Sequence, residues 1–287
     1  MELESEIKVW KANAKINLTM EVIGKRQDGY HEIASVVQAI DLCDILSFQL
    51  KEHIFLSCNI PELVSPNNLV CRAAKLLQEL TGSSSGVAIS LEKSIPLASG
   101  LGGGSSDAAV TLQALNELWE LKLAAEKLQE IAANLGSDIF FFLHSGRTAL
   151  VEGRGDKVIT LPSLSKTWVV LIRPPIAVSG KTEKMYASLD SSYFTAGHST
   201  ERMVKLLRQR KKFTPSFCYN VFESVAFSFF PGLEEYWRRF LAAGATEVHL
   251  AGAGPALFAL VEDRIQGEEI CHRLRRERIE AYLTQTV

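Results

Sequence analysis

Cysteine is scarce in this chain of 287 residues and never falls in a paired metal spacing: Cys43, Cys58, Cys71, Cys218 and Cys271 are scattered. Their odd number argues against a complete disulfide framework, so buried or neutral thiols are expected. Net charge is also small. With 31 Lys+Arg against 33 Asp+Glu the formal balance is -2, which leaves no global field to hold nucleic acid by counterion release. A short basic run, Arg208-Gln-Arg-Lys-Lys212, reads as a solvated helix end or loop. No stretch calls for a membrane, and no internal repeat or low-complexity tract points to a solenoid or coiled coil. The opening Met1-Glu-Leu-Glu-Ser-Glu6 lacks the basic start and apolar run of a secretion signal, which predicts a cytoplasmic protein.

What is present is an ordinary globular composition, 47% hydrophobic and 22% charged. The length suits two modest lobes, 1–163 and 164–287, with the boundary just before the buried strand expected over 167–172. Residues 15–22 alternate, with Ile16, Leu18, Met20 and Val22 on one face and Lys15, Asn17, Thr19 and Glu21 on the other. That pattern predicts a half-buried strand with a polar working face. Asp28-Gly29 supplies a turn before Tyr30 and His31, and 33–42 is again strand-like. Residues 68–80 carry apolar side chains at helical spacing, with Asn67 or Asn68 as N-cap. A short strand over 87–91 leads into a glycine-rich loop and a helix running through Trp119. A further helix is expected over 123–135, closed by Gly136, after which Ser137-Asp138 opens the apolar 139–143. In the second lobe 232–243 and 264–276 read as helices. Strands over 247–250 and 256–261 are joined through Gly252-Ala-Gly-Pro255.

The loop Gly100-Leu-Gly-Gly-Gly-Ser-Ser106 carries the most chemistry. Successive glycines let backbone N–H groups approach phosphate oxygens, and the following helix turns its positive end toward them. No Gly-Lys-Ser/Thr ends it, so it is not a Walker A loop, and a cation must come from elsewhere. Mg²⁺ and Lys15 are the candidates. Ser105 and Ser106 could cap the helix or touch phosphate, and Ser106 could touch a metal-bound water. Asp138 either caps the helix it precedes or acts as a base.

Taken in order, Ala14-Lys-Ile-Asn-Leu18, Arg26-Gln-Asp-Gly-Tyr-His-Glu32, Asn68-Leu69, the segment from Pro96 to Ala109, Leu135-Gly-Ser-Asp138 and Gly252-Ala-Gly254 resemble the GHMP kinase superfamily. The resemblance implies a two-lobed α+β fold. Its N-terminal lobe would be like the second domain of ribosomal protein S5, and its C-terminal lobe ferredoxin-like. It implies ATP with Mg²⁺ as phosphoryl donor, and as acceptor the C2 hydroxyl of a cytidine-diphosphate-linked methylerythritol. By the same resemblance Asp138 is the base, and Lys15 holds that aspartate and the transferring phosphate. Pro96, Leu97, Ala98, Ser99, Gly100, Leu101, Gly102, Gly103, Gly104, Ser105 and Ser106 form the nucleotide loop, with Asn68 and Ser99 on the adenine side. Asn17, Tyr30 and His31 would meet the cytidine end, Tyr186 would stack on the base, and Gly252 and Gly254 would approach substrate phosphates or simply make a hairpin turn. Pro255 departs from the pattern and is more reminiscent of homoserine kinases. Kinases of homoserine, mevalonate or a sugar, and a catalytically silent protein of the same fold, are the competing readings.

Overall fold

The computed structural model describes residues 6–144, 147–211 and 213–287. In chain order its elements are β1 (Lys8–Lys25), β2 (His31–Lys51), β3 (Ile54–Cys58), α1 (Leu69–Thr81), β4 (Gly86–Glu92), α2 (Gly103–Leu118), α3 (Ala125–Ala132), α4 (Asp138–His144), β5 (Thr148–Gly153), β6 (Lys157–Thr160), β7 (Trp168–Ile172) and α5 (Lys181–Ala187). There follow α6 (His198–Arg208), β8 (Tyr219–Asn220), α7 (Glu223–Phe229), α8 (Leu233–Ala242), β9 (His249–Leu250), β10 (Leu257–Val261), α9 (Arg264–Arg276) and β11 (Ala281–Gln285). Among the described residues the strands form two sheets, one of seven and one of four. The chain divides into two compact units that interleave in sequence: residues 1–14, 42–95 and 102–146, and residues 15–41, 96–101 and 147–287.

In the first unit, β4 runs antiparallel to 45–51 of β2 and parallel to the edge strand β3. Leu46, Phe48, Val87, Ile89 and Leu91 present one buried apolar face, onto which α1 and α2 lay Val70, Ala73, Leu77, Ala108, Leu112 and Leu115. Helix α1 starts where the sequence says it should, because the Asn68 side chain accepts the Val70 N–H at 2.9 Å, and it ends at Gly82 in the left-handed region. Helix α3 is shorter than the spacing predicts. It stops at Ala132, and a turn through Asn134 and Leu135 precedes Gly136, which therefore does not close it.

In the second unit, 33–38 of β2 pair with β5, which pairs with β6, and β1 pairs with β8 at Thr19 and Met20. The four-stranded sheet runs β11-β7-β10-β9, all antiparallel. Counted within that sheet the order is 4-1-3-2, and α8 and α9 make the two crossovers of a ferredoxin-like arrangement. β10 is buried along its whole length. Helix α9 is capped by Asp263, which accepts the Gln266 N–H, and carries Arg273, Arg275 and Arg276 in its last turn, where they oppose the helix dipole. Its Gly267 has no space for a side chain, because a Cβ there would come within 2.4 Å of Leu283 on β11.

Both faces of β1 are buried over residues 14–22, which corrects the half-buried expectation. The polar residues Lys15, Asn17, Thr19 and Glu21 are as covered as the apolar ones, and their partners are internal. Thr19 Oγ1 accepts the Val36 N–H and the Thr200 hydroxyl, and Glu21 accepts the Thr200 N–H at 2.7 Å. Strand β9 spans two residues rather than four. Arg208 is the final residue of α6, and 208–211 are exposed as expected of a solvated helix end. Lys212 and Met1–Ser5 lie outside the described residues. All five cysteines are free thiols.

Candidate active site

The glycine loop forms the entrance to α2. Gly102 sits at the N-cap with φ +74° and offers no side chain, so Gly103, Gly104 and Ser105 begin the helix with no side chain capping them. The first helical bond on this side is Ser106 N–H to Gly102 carbonyl, at 2.9 Å. The N–H groups of the first turn are thus directed out of the helix, as an anion cradle requires. Ser105 and Ser106 lie inside the first turn and are not caps, and Ser106 is buried.

Upstream, the loop is held by backbone contacts. Lys15 N–H donates to the Leu101 carbonyl at 2.9 Å, and Ala256 N–H donates to the Ser99 carbonyl at 3.1 Å. The Ser99 hydroxyl is turned inward onto the Pro96 carbonyl. Gly100, at φ +94°, cannot be replaced without movement, since a Cβ there would lie 2.0 Å from the Ala251 carbonyl oxygen. The turn at 252–254 is a β9–β10 hairpin turn and also a wall of this site. A Cβ on Gly252 would meet the Gly100 carbonyl at 3.0 Å, the Lys15 ammonium at 3.2 Å and Asn17 Oδ1 at 3.4 Å. The Lys181 ammonium donates to the Gly254 carbonyl.

Lys15 and Asn17 form a buried relay: the ammonium donates to Asn17 Oδ1 at 2.8 Å, and Asn17 Nδ2 donates to Ser35 Oγ at 2.8 Å. Both side chains are 6% exposed. Asn220 is a residue the sequence reading missed. Its amide donates to the Leu250 and Gly252 carbonyls at 2.9 and 2.8 Å, and so fixes the glycine turn.

Tyr186, on α5, stacks on His31, with ring centroids 5.0 Å apart and planes at 24°, while Phe194 and Phe222 meet the pair edge-on. Tyr30 is 53% exposed, with the Arg154 guanidinium 5.4 Å from its ring centroid. Its turn is held by Asp28, which accepts the Tyr30 N–H. Burial, and then the charge of Lys25, holds His31 below the usual histidine pKa, so the neutral ring is favoured.

In the first unit, Asp138 is the first residue of α4 and is exposed. Asn68 is committed to its helix cap and to the Leu63 carbonyl, which is the turn-forming role. A second feature the sequence reading missed lies under α2. Lys93 is flanked by Asp44 and Asp107, all three almost fully buried. Burial alone would lower the Lys93 pKa, but the two carboxylates outweigh it and hold it above the ordinary lysine value. Burial pushes Asp107 up to about 7, although Lys93 pulls the other way. Only a three-dimensional fold joins residues 44, 93 and 107; Asp107 falls within the Pro96–Ala109 segment, but nothing local ties it to Lys93 or Asp44.

A glycine-rich helix N-terminus is a feature that phosphotransferases use to hold phosphate. Two family models match the chain: GHMP kinases N terminal domain over residues 68–146, and GHMP kinases C terminal over 201–280. The chain belongs to the GHMP kinase family, within the group named 4-diphosphocytidyl-2-C-methyl-D-erythritol kinase. It is 42% identical over 277 residues to the kinase of that name from Dehalococcoides mccartyi, covering 96% of this chain and 97% of the relative. It is 39% identical to the one from Bacillus pumilus over 92% of each chain. A crystal structure of 4-(cytidine 5'-diphospho)-2C-methyl-D-erythritol kinase superposes with a TM-score of 0.82 at 33% identity, covering 97% of this chain and 99% of that one. Homoserine kinase from Cytophaga hutchinsonii, at 18% identity and a TM-score of 0.69, shares the fold. The two-lobed fold expected from the sequence is therefore the fold observed, and the protein is a kinase that uses ATP.

Proposed function

We propose that this kinase transfers the γ-phosphoryl group of ATP to the C2 hydroxyl of 4-diphosphocytidyl-2-C-methyl-D-erythritol, giving the 2-phosphate and ADP in the non-mevalonate route to isoprenoid precursors. The observation that carries this reading is the near full-length likeness to kinases of that name. The Asp28-Gly-Tyr-His31 turn and its aromatic neighbours add to it. Among the described residues no helix is long and apolar enough to cross a membrane, and we place the reaction in the cytoplasm.

The first-turn N–H groups of α2 receive the ATP phosphates. Lys15 stabilises the charge that grows on the γ-phosphate oxygens, and Asn17 fixes the ammonium. Asp138 accepts the proton of the attacking hydroxyl. His31 reads the cytosine edge as a neutral imidazole, while Tyr186 supplies the stacking face and Tyr30 a second aromatic surface. Gly252 and Gly254 let the backbone approach the acceptor's phosphates. Among the described residues no group of three His, Cys, Asp or Glu forms a metal cage. That donor set suits a Mg²⁺ ion carried mainly by the nucleotide phosphates, with the Ser106 hydroxyl as a protein contact. When bound, the ion supplies neutralising charge. Lobes 1–163 and 164–287 fit the family-model matches, which fall on either side of that boundary.

The test is coupled ADP release against a panel of the cytidylylated methylerythritol, homoserine, mevalonate and galactose. Turnover with the first alone is expected. Turnover confined to any of the others would remove the named acceptor, and none at all would favour a silent protein.

A further inference from the structure

We propose that Lys93, gripped by Asp44 and Asp107, is a positioning residue for the phosphate loop. One buried ammonium ties the chain entering the loop to the helix leaving it. The inference rests on the reading that this loop holds ATP.

Asp44, on β2, is wholly buried and works with both oxygens. Oδ1 accepts the N–H groups of Ser94 at 2.6 Å and Ile95 at 2.8 Å, and Oδ2 takes the Lys93 ammonium. These are the residues immediately before Pro96, so Asp44 fixes the point where the loop begins. The same ammonium donates to Asp107 Oδ2 at 2.7 Å, and Asp107 is the fifth residue of α2. It fixes the point where the loop ends. Gly103, the first residue of α2, packs on the clamp itself. A Cβ there would stand 3.0 Å from Ile95 Cγ2 and 3.2 Å from Lys93 Nζ. A side chain there would crowd Ile95 and Lys93, quite apart from phosphate.

Residues 96–102 are therefore held at both ends through one cation, in addition to the backbone contacts at Ser99 and Leu101. A glycine-rich loop with free ends would lose much conformational entropy on meeting ATP. Clamped ends move that loss into folding and leave the N–H donors preorganised. Lys93 is not itself a phosphate ligand, since its side chain is 3% exposed and two carboxylates occupy its ammonium. Stability alone explains the triad poorly. Buried ion pairs often contribute no more than apolar packing of the same volume, and Asp107 Oδ1 is buried with no hydrogen-bond partner.

The experiment titrates Mg-ATP directly, without acceptor, into the wild type and into the double variant Lys93→Met/Asp44→Asn, which removes the ammonium together with the carboxylate that faces it and keeps an amide oxygen at 44 for the Ser94 and Ile95 N–H groups. The expected result is a thermal midpoint close to wild type, ATP affinity weaker by about tenfold or more, and an acceptor KM within about twofold. Unchanged ATP affinity in the folded double variant would overturn the clamp. Should the double variant not fold, Asp107→Asn decides, because it keeps the size and removes one ionic arm. Weaker ATP binding at an unchanged thermal midpoint supports the clamp, and wild-type affinity overturns it. A wild type that does not bind ATP at all would instead remove the loop reading on which the proposal rests.

Discussion

At the scale of single residues, conformation and proximity decide what can be changed. Gly100→Ala forces a side chain into the left-handed region and onto the Ala251 carbonyl. A loss on the order of 1–3 kcal/mol or more in denaturant unfolding is expected, along with ATP binding. Asp138→Asn removes a proton acceptor from an exposed position, so the fold and nucleotide affinity are expected to survive. Turnover should fall by about two orders of magnitude or more in ADP release. His31 gives a pH signature. Its depressed pKa means the neutral ring that we assign to base reading persists below the ordinary value of about 6.5. Acceptor KM is expected to stay flat through neutral pH and to rise only as pH falls through the folded value. The linked stability has the same sign: it is fully present above about 6.5 and is lost as pH falls, because the unfolded chain binds the proton more readily.

At the scale of elements, the cradle and the slot make separable predictions. Gly104 has ordinary backbone and only Leu69 nearby, with 3.6 Å to a built Cβ. Gly104→Ala is expected to leave stability unchanged or raise it by up to about 1 kcal/mol in thermal unfolding. The added methyl should nonetheless weaken ATP binding in a nucleotide titration. Tyr186→Ala, by contrast, is expected to raise acceptor KM and leave the KM for ATP alone.

These elements also show where sequence reading succeeds. The strand, glycine loop and helix at 87–119 were legible because each is marked locally, by alternation, by glycine and by helical spacing. Helix α1 announced itself through Asn68. The polar face of β1 misled, since period-two alternation reports which side chains differ but not what lies over them. Thr200, far along the chain, covers Thr19 and Glu21. Helix α5 and the short β8 carry weak local signals, whereas α6 has Met203, Val204, Leu206 and Leu207 at helical spacing and is legible; the Lys93 clamp as a unit has no local signal, because its members come from three separate segments.

At the scale of the whole molecule, the order of motifs along the chain carried the family, and the likeness to relatives over nearly the full length carries the acceptor. Fold alone does not separate the acceptors, since homoserine kinase shares it. The roles proposed above for Asn17, His31 and Tyr186 at the acceptor end are what would distinguish them. The most direct measurement is phosphorus NMR of the product formed from ATP and 4-diphosphocytidyl-2-C-methyl-D-erythritol. C2 carries a methyl group and no hydrogen. The new phosphomonoester is therefore expected as a signal unsplit by any adjacent proton, in step with ADP. A signal split by carbinol protons, or ADP released with no new phosphomonoester, would contradict transfer to that hydroxyl.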